Sequence, residues 1–216
     1  MARIGIIGFK RRAVMMRSGK WILLSLTFLV VVAVLSGCAG PVKRMQVATP
    51  DMVSTKPEDG KSLVVFMRPS GVGFGIQSSV FEVKDQQPLL AGIVAAKKKV
   101  TYQLDPGEHL FMVIGESADF MSAELDADKT YHALVTPRMG VWKARFSLKP
   151  IHADMLASPE FDEWAQECEW VVKTPESDQW ARDNMPSILS KQKKYYQKWM
   201  SKEASERPRL LKEDGR

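Results

Sequence analysis

Cysteine is almost absent from this chain, whose 216 residues hold two, Cys38 and Cys168. Two thiolates cannot complete a cysteine-built metal centre. If either is consumed by modification, no disulfide can form within the chain. Histidine is nearly as sparse: His109, His132 and His152 stand alone, without an HxH or HExxH spacing or an acid at ligand spacing, so no metal residues are expected. Ser70, Ser78 and Ser79 lack the G-x-S-x-G elbow that presents a nucleophilic serine. The glycine-rich stretch Pro69–Ile76 has no lysine for phosphate and joins two strand-like runs, where a phosphate-cradling loop leads from strand into helix. No catalytic residue and no cofactor are therefore expected.

Long apolar runs are missing too, apart from Trp21–Val34, WILLSLTFLVVVAV. That run falls short of the roughly 20 residues that span a bilayer comfortably. It follows six cations, Arg3, Lys10, Arg11, Arg12, Arg17 and Lys20, with no acid among them. A cationic start, a short apolar stretch and small residues at a cut are the parts of a secretory signal. Lys10-Arg11-Arg12 reads as an ordinary cationic region, since the context of a twin-arginine signal is missing. Translation from Met15 or Met16 would give a more ordinary signal than translation from Met1. Leu35-Ser36-Gly37-Cys38 comes directly after the apolar run and resembles the bacterial lipobox. Small Ser36 and Gly37 leave a peptidase room to reach an extended backbone, and the cysteine sulfur carries diacylglycerol. The expectation is a signal over residues 1–37 and a covalent lipid on Cys38 as the first mature residue, attaching the protein to a membrane. Ala39, in place of the aspartate associated with inner-membrane retention, points to the outer membrane, facing the periplasm.

Removing the signal changes the electrostatic reading. The chain has 31 basic and 25 acidic residues, and the signal holds six of the basic ones. The mature 179 residues are then neutral, which removes the global electrostatic argument for a nucleic-acid partner.

Residues 38–61 are rich in Pro, Thr, Ser and charge without apolar periodicity and read as a flexible tether. Residues 62–151 alternate short β-rich runs with turn signals: Ser62–Met67, Ser78–Lys84, Leu89–Ala95, Lys99–Leu104, Glu108–Gly115, Met121–Leu125, Thr130–Pro137 and Val141–Ile151. Such spacing predicts an antiparallel sandwich or barrel, and the expected class is a β-sandwich-like domain. Asp105-Pro106-Gly107-Glu108 reads as a hairpin turn, Asp126-Ala127-Asp128-Lys129 as a second reversal, and Lys97-Lys98-Lys99 as a solvated cationic turn. From residue 152 to 216 the period becomes helical. Ser158-Pro159-Glu160 and Thr174-Pro175-Glu176 each offer an N-cap, a proline and an early acid. The first helix is expected to carry Phe161, Trp164, Ala165, Cys168, Val171 and Val172 on one face, with Cys168 buried. A third helix is expected from about Ser187 to Lys202, followed by a frayed tail. The class is mainly β, with two to three C-terminal α-helices, α+β overall.

Three of these motifs, in order, resemble bacterial lipoproteins that contain the domain of unknown function 2846. They are Leu63-Val64-Val65-Phe66-Met67-Arg68-Pro69-Ser70, Leu104-Asp105-Pro106-Gly107-Glu108-His109, and Leu125-Asp126-Ala127-Asp128-Lys129-Thr130-Tyr131. The resemblance covers about residues 62–151 and departs at Asp128, where that family has glycine. It implies a β-sandwich-like envelope domain and transfers no catalytic residue.

Two places suggest a partner surface. Phe74 sits at the tip of the glycine-rich loop, as a flexible element or as a contact. On the last helix, Ile188, Leu189, Tyr195, Tyr196, Trp199 and Met200 share one face, with Lys191, Lys194, Lys198 and Lys202 beside it. Either that face packs on the β domain while the lysines stay wet, or it meets an envelope protein, peptidoglycan or anionic lipid. The reading is a non-enzymatic, membrane-anchored envelope interaction module. The alternatives are a small hydrolase near Gly71–Gly75, or a glycan binder using converging residues among Trp142, Trp164, Trp170, Trp180 and Trp199.

Overall fold

A computed structural model describes residues 44–138 and 144–216. The signal, Cys38 and Trp142 lie outside the described residues. β1 (Met45–Val47), β2 (Ser62–Arg68), β3 (Ser78–Lys84), β4 (Gln87–Val94), β5 (Lys98–Leu104) and β6 (Gly107–Ile114) come first. β7 (Ala118–Leu125), β8 (Thr130–Arg138) and β9 (Arg145–Pro150) follow. The C-terminal part holds α1 (Pro159–Glu167), β10 (Glu169–Lys173), α2 (Pro175–Asp183), α3 (Met185–Met200) and β11 (Arg209–Leu210). They build a six-stranded sheet, β1-β10-β5-β2-β8-β9, and a five-stranded sheet, β11-β7-β6-β3-β4. The sheets face each other, with Phe66 of β2 edge-on to Phe111 of β6 at 5.1 Å.

The unbroken apolar sequence of β2 follows from its place. Val64 and Phe66 enter the core between the sheets, while Leu63, Val65 and Met67 meet Leu156 and Cys168 beneath α1. A strand covered on both faces has no use for alternation. Ser158 caps α1, its hydroxyl accepting from the Phe161 N–H at 3.1 Å, and Thr174 and Ser177 cap α2 reciprocally.

The expected class holds, mainly β with three C-terminal helices, but several details change. Among the described residues β2–β8, β5–β10 and β7–β11 pair in parallel, so both sheets are mixed. Asp105–Glu108 is not a hairpin: it carries the chain from β5 in one sheet to β6 in the other, with Gly107 at φ +129°. Asp126–Lys129 makes another such crossing, from β7 to β8, and Asp128 adopts φ +61°, a region that aspartate enters more readily than most side chains. Helix α1 stops before Cys168. Val171 and Val172 lie instead on β10, because β-branched side chains suit a strand and β5 offers an edge to pair with. Cys168 is buried, and burial pushes its thiol up to about 11.

Lys97–Lys99 is not a solvated turn. Lys98 and Lys99 are buried in β5: Lys98 pairs with Glu169, while Lys99 donates to the Ala165 carbonyl and lies 4.3 Å from the Trp170 ring centroid. Part of the tether is docked as well, since β1 pairs with β10 and buries Met45, while Val53 is also buried. Nor is the tail frayed. Leu210 is fully buried, and Thr130 and Arg216 exchange backbone hydrogen bonds of 2.7 and 3.1 Å. The buried Asp214 carboxylate faces His152 Nδ1 at 3.0 Å and accepts from the Ala153 N–H at 3.1 Å. The predominance of charge in Glu206–Arg216 hides one buried leucine and one buried acid.

Candidate binding groove at one end of the sandwich

Strand pairings give the sandwich two ends. At the upper end lie Arg68, the start of β3, the β6–β7 turn at Gly115–Ser117, and the facing Arg138 and Arg145. At the lower end lie the crossings at Asp105–Glu108 and Asp126–Lys129, and Arg44, where the described chain begins beside Lys173 and Thr174.

The upper end carries an apolar loop. Val72, Phe74 and Ile76 are 56, 58 and 45 % exposed. Beneath them the Arg68 side chain is fully buried. Its Nη1 donates to the Ile76 carbonyl at 2.6 Å and its Nη2 to the Val72 and Gly73 carbonyls at 2.7 and 2.9 Å. The guanidinium also lies 4.8 Å from the Phe146 ring centroid. No carboxylate compensates it among the described residues, and burial lowers its pKa to about 10, so it stays charged at neutral pH. The loop is therefore held from below by three carbonyl contacts, and Phe74 is presented outward.

Helix α3 crosses the outer face of the five-stranded sheet. Ile188 and Trp199 are buried, and the Trp199 ring lies 6.0 Å from Phe120 and 6.0 Å from Tyr196. Of the aromatic residues expected either to pack on the β domain or to meet a partner, Trp199 is spent on the core and Tyr195 packs partly against it, while Tyr196 stays 37 % exposed. The basic side remains toward the upper end. Lys191 Nζ donates to the Gly115 carbonyl at 2.7 Å, and Lys194 sits 5.5 Å from the Tyr195 ring.

Lys194, Lys198 and Lys202 line a groove of about 360 Å³ together with Arg138, Arg145, Ser117 and Asp119. Arg138 and Arg145 stand directly opposite on β8 and β9, a like-charge pairing that costs stability. Asp119 is the one carboxylate lining the groove among the described residues, and it pairs weakly with Arg138 at 3.5 Å and Lys202 at 3.8 Å. Two buried donors there, Ser117 Oγ and Trp199 Nε1, have no hydrogen-bond partner among the described residues. Sequence spacing placed the lysines on one helical face. It did not bring in Arg138, Arg145 or Ser117, which come from other strands and turns.

The remaining polar candidates are used in the fold. Ser78 Oγ donates to the Val94 carbonyl at 3.2 Å, and Ser70 Oγ accepts from the Val72 N–H at 3.2 Å. His132 is held against the Phe161 ring, and burial lowers its pKa to about 4. Glu82 joins the sheets at the lower end: its carboxylate faces His109 Nδ1 of the same sheet at 2.7 Å and accepts from the Tyr102 hydroxyl of the other sheet at 2.7 Å. The His109 and Tyr102 contacts hold the Glu82 carboxyl below the usual range, against the opposing effect of burial. Trp164 and Trp170 pack beneath α1, whereas Trp180 and Trp199 belong to the core between and beside the sheets. These four do not converge in one groove. Among the described residues, no helix is long and apolar enough to cross a membrane.

No protein-family model matches the chain, and none of the curated proteins matches it.

Proposed function

We propose that this chain is a non-enzymatic lipoprotein of the bacterial cell envelope, anchored through Cys38 in the outer membrane and binding a second envelope component from the periplasmic side. The anchor rests on the sequence, where six cations, a short apolar run and Leu35-Ser36-Gly37-Cys38 follow in order. The resemblance of three turn motifs to envelope lipoproteins agrees with it.

The observation that carries the binding role is the polarity of the sandwich. The chain from Cys38 meets the folded unit at Arg44, at the lower end. Six residues reach about 20 Å when extended. The exposed loop of Val72, Phe74 and Ile76 and the cationic groove both lie at the upper end. A domain held from below thus offers a charged and apolar surface above, away from its point of attachment. Exposed apolar side chains grouped in this way mark contact surfaces more often than isolated ones do.

Metabolic labelling with a palmitate analogue tests the anchor. Wild-type protein incorporates label and sediments with membranes; Cys38→Ala loses both. A Cys38→Ala protein that remains acylated overturns the anchor assignment.

A further inference from the structure

The geometry points to the groove between α3 and the β8–β9 end as a binding site for a phosphomonoester group, carried by a soluble phosphate ester or by a phosphatidic acid headgroup. This rests on the reading of the upper end as the binding face and is independent of acylation at Cys38.

Charge is the first support. Five cations from three separate parts of the chain, Arg138, Arg145, Lys194, Lys198 and Lys202, line one groove against Asp119, the single carboxylate there among the described residues. The Arg138–Arg145 register sets two arginines directly opposite each other where most pairings would place opposite charges or apolar groups. Local conflicts of this kind persist where a site needs them. A bound anion removes the conflict.

The second support is independent of charge. Ser117 and Trp199 are 6 and 5 % exposed, both line the groove, and both carry a buried polar atom without a partner among the described residues. A buried donor left unpaired is costly. The indole N–H can only donate and the hydroxyl can donate, so the missing partner is an acceptor. A phosphomonoester supplies three acceptor oxygens and close to two negative charges at neutral pH, and arginine pairs match it in bidentate geometry. A carboxylate offers one charge and two oxygens, fewer than this donor set can use. The volume of about 360 Å³ falls within the range of small-molecule sites.

The test is nuclear magnetic resonance on the ¹⁵N-labelled full chain in phosphatidylcholine nanodiscs, following the assigned indole N–H of Trp199. Glycerol 3-phosphate is added free in one arm, phosphatidic acid, which carries a phosphomonoester headgroup, is built into the disc in a second, and acetate is added in a third. The Trp199 signal is expected to shift in the first or the second arm, which identifies the source as soluble ester or headgroup, and to stay in place with acetate. Arg145→Ala and Lys198→Ala, both at the rim, are each expected to weaken binding about tenfold. Ser117→Ala removes a hydroxyl without adding bulk and should weaken it less. No shift in either phosphate arm, or an equal shift with acetate, overturns the assignment. A phosphate response unchanged by Arg145→Ala and Lys198→Ala overturns it too. If these failures occur while crosslinks still form at the upper end, the ligand class is wrong and the binding face stands.

Discussion

Replacing Leu210 by alanine separates a folded tail from a frayed one. Leu210 is fully buried in the main core, on a two-residue strand paired in parallel with Ser122 and Ala123 of β7. Truncating a fully buried leucine to alanine removes its transfer free energy and leaves a cavity, together costing about 2–5 kcal/mol. With a urea slope of about 2 kcal/mol/M, ordinary for a domain of this size, the midpoint falls by about 1–2.5 M. Leu211 is only half-buried, so Leu211→Ala serves as the control and should cost less than half as much. Urea unfolding followed by tryptophan fluorescence reads both. If Leu210→Ala shifts the midpoint no more than Leu211→Ala does, the tail does not contribute to the core as described.

Three further outcomes follow from particular contacts. Glu82 titrates below its ordinary value in the folded state because of its contacts with His109 and Tyr102. A depressed carboxylate pKa adds stability that is complete above the unfolded value near 4.5 and is lost as pH falls through the folded value. Acid unfolding should therefore be shallower in Glu82→Gln below pH 4.5, and an unchanged pH profile would contradict the network. Asp85 and Gln86 both have positive φ, 49° and 62°, in the tight turn between β3 and β4. Gln86→Gly is expected to stabilise the protein by about 0.5–1 kcal/mol, because glycine enters that region without the penalty paid by other side chains; a lowered melting temperature would refute this. Arg68→Met removes the three carbonyl contacts beneath the apolar loop. Hydrogen exchange of the Ile76 amide should accelerate about tenfold or more, equivalent to about 1.4 kcal/mol, and unchanged exchange would show that Arg68 does not hold the loop.

Strand positions were legible because their cues are local. Ser78–Lys84 matches β3 at both ends, and Thr130–Pro137 matches β8 to within one residue. Strand partners were not legible, since Asp105-Pro106-Gly107 specifies a reversal without specifying whether the next strand returns to the same sheet. The helix expected through Val172 failed at Cys168 for a similar reason. Helical spacing of Trp164, Cys168 and Val171 is real, but the exposed edge of β5 competes for the β-branched segment and wins. Lys98 and Lys99 read as surface because lysine usually is; only the placement of Glu169, Ala165 and Trp170 shows why they are buried. The groove was half visible. Lys194, Lys198 and Lys202 recur every four residues, whereas the Arg138–Arg145 pairing depends on sheet register and the unpaired Ser117 and Trp199 donors on packing.

The upper end as the binding face is tested most directly by photo-crosslinking in intact cells, with a photoreactive amino acid placed singly at Phe74, Lys198, Asp85 or Asp105. Phe74 and Lys198 lie toward the upper end, Asp85 and Asp105 toward the lower. Crosslinked adducts from Phe74 and Lys198 with none from Asp85 and Asp105 are the predicted result. Adducts confined to Asp85 and Asp105 would contradict it.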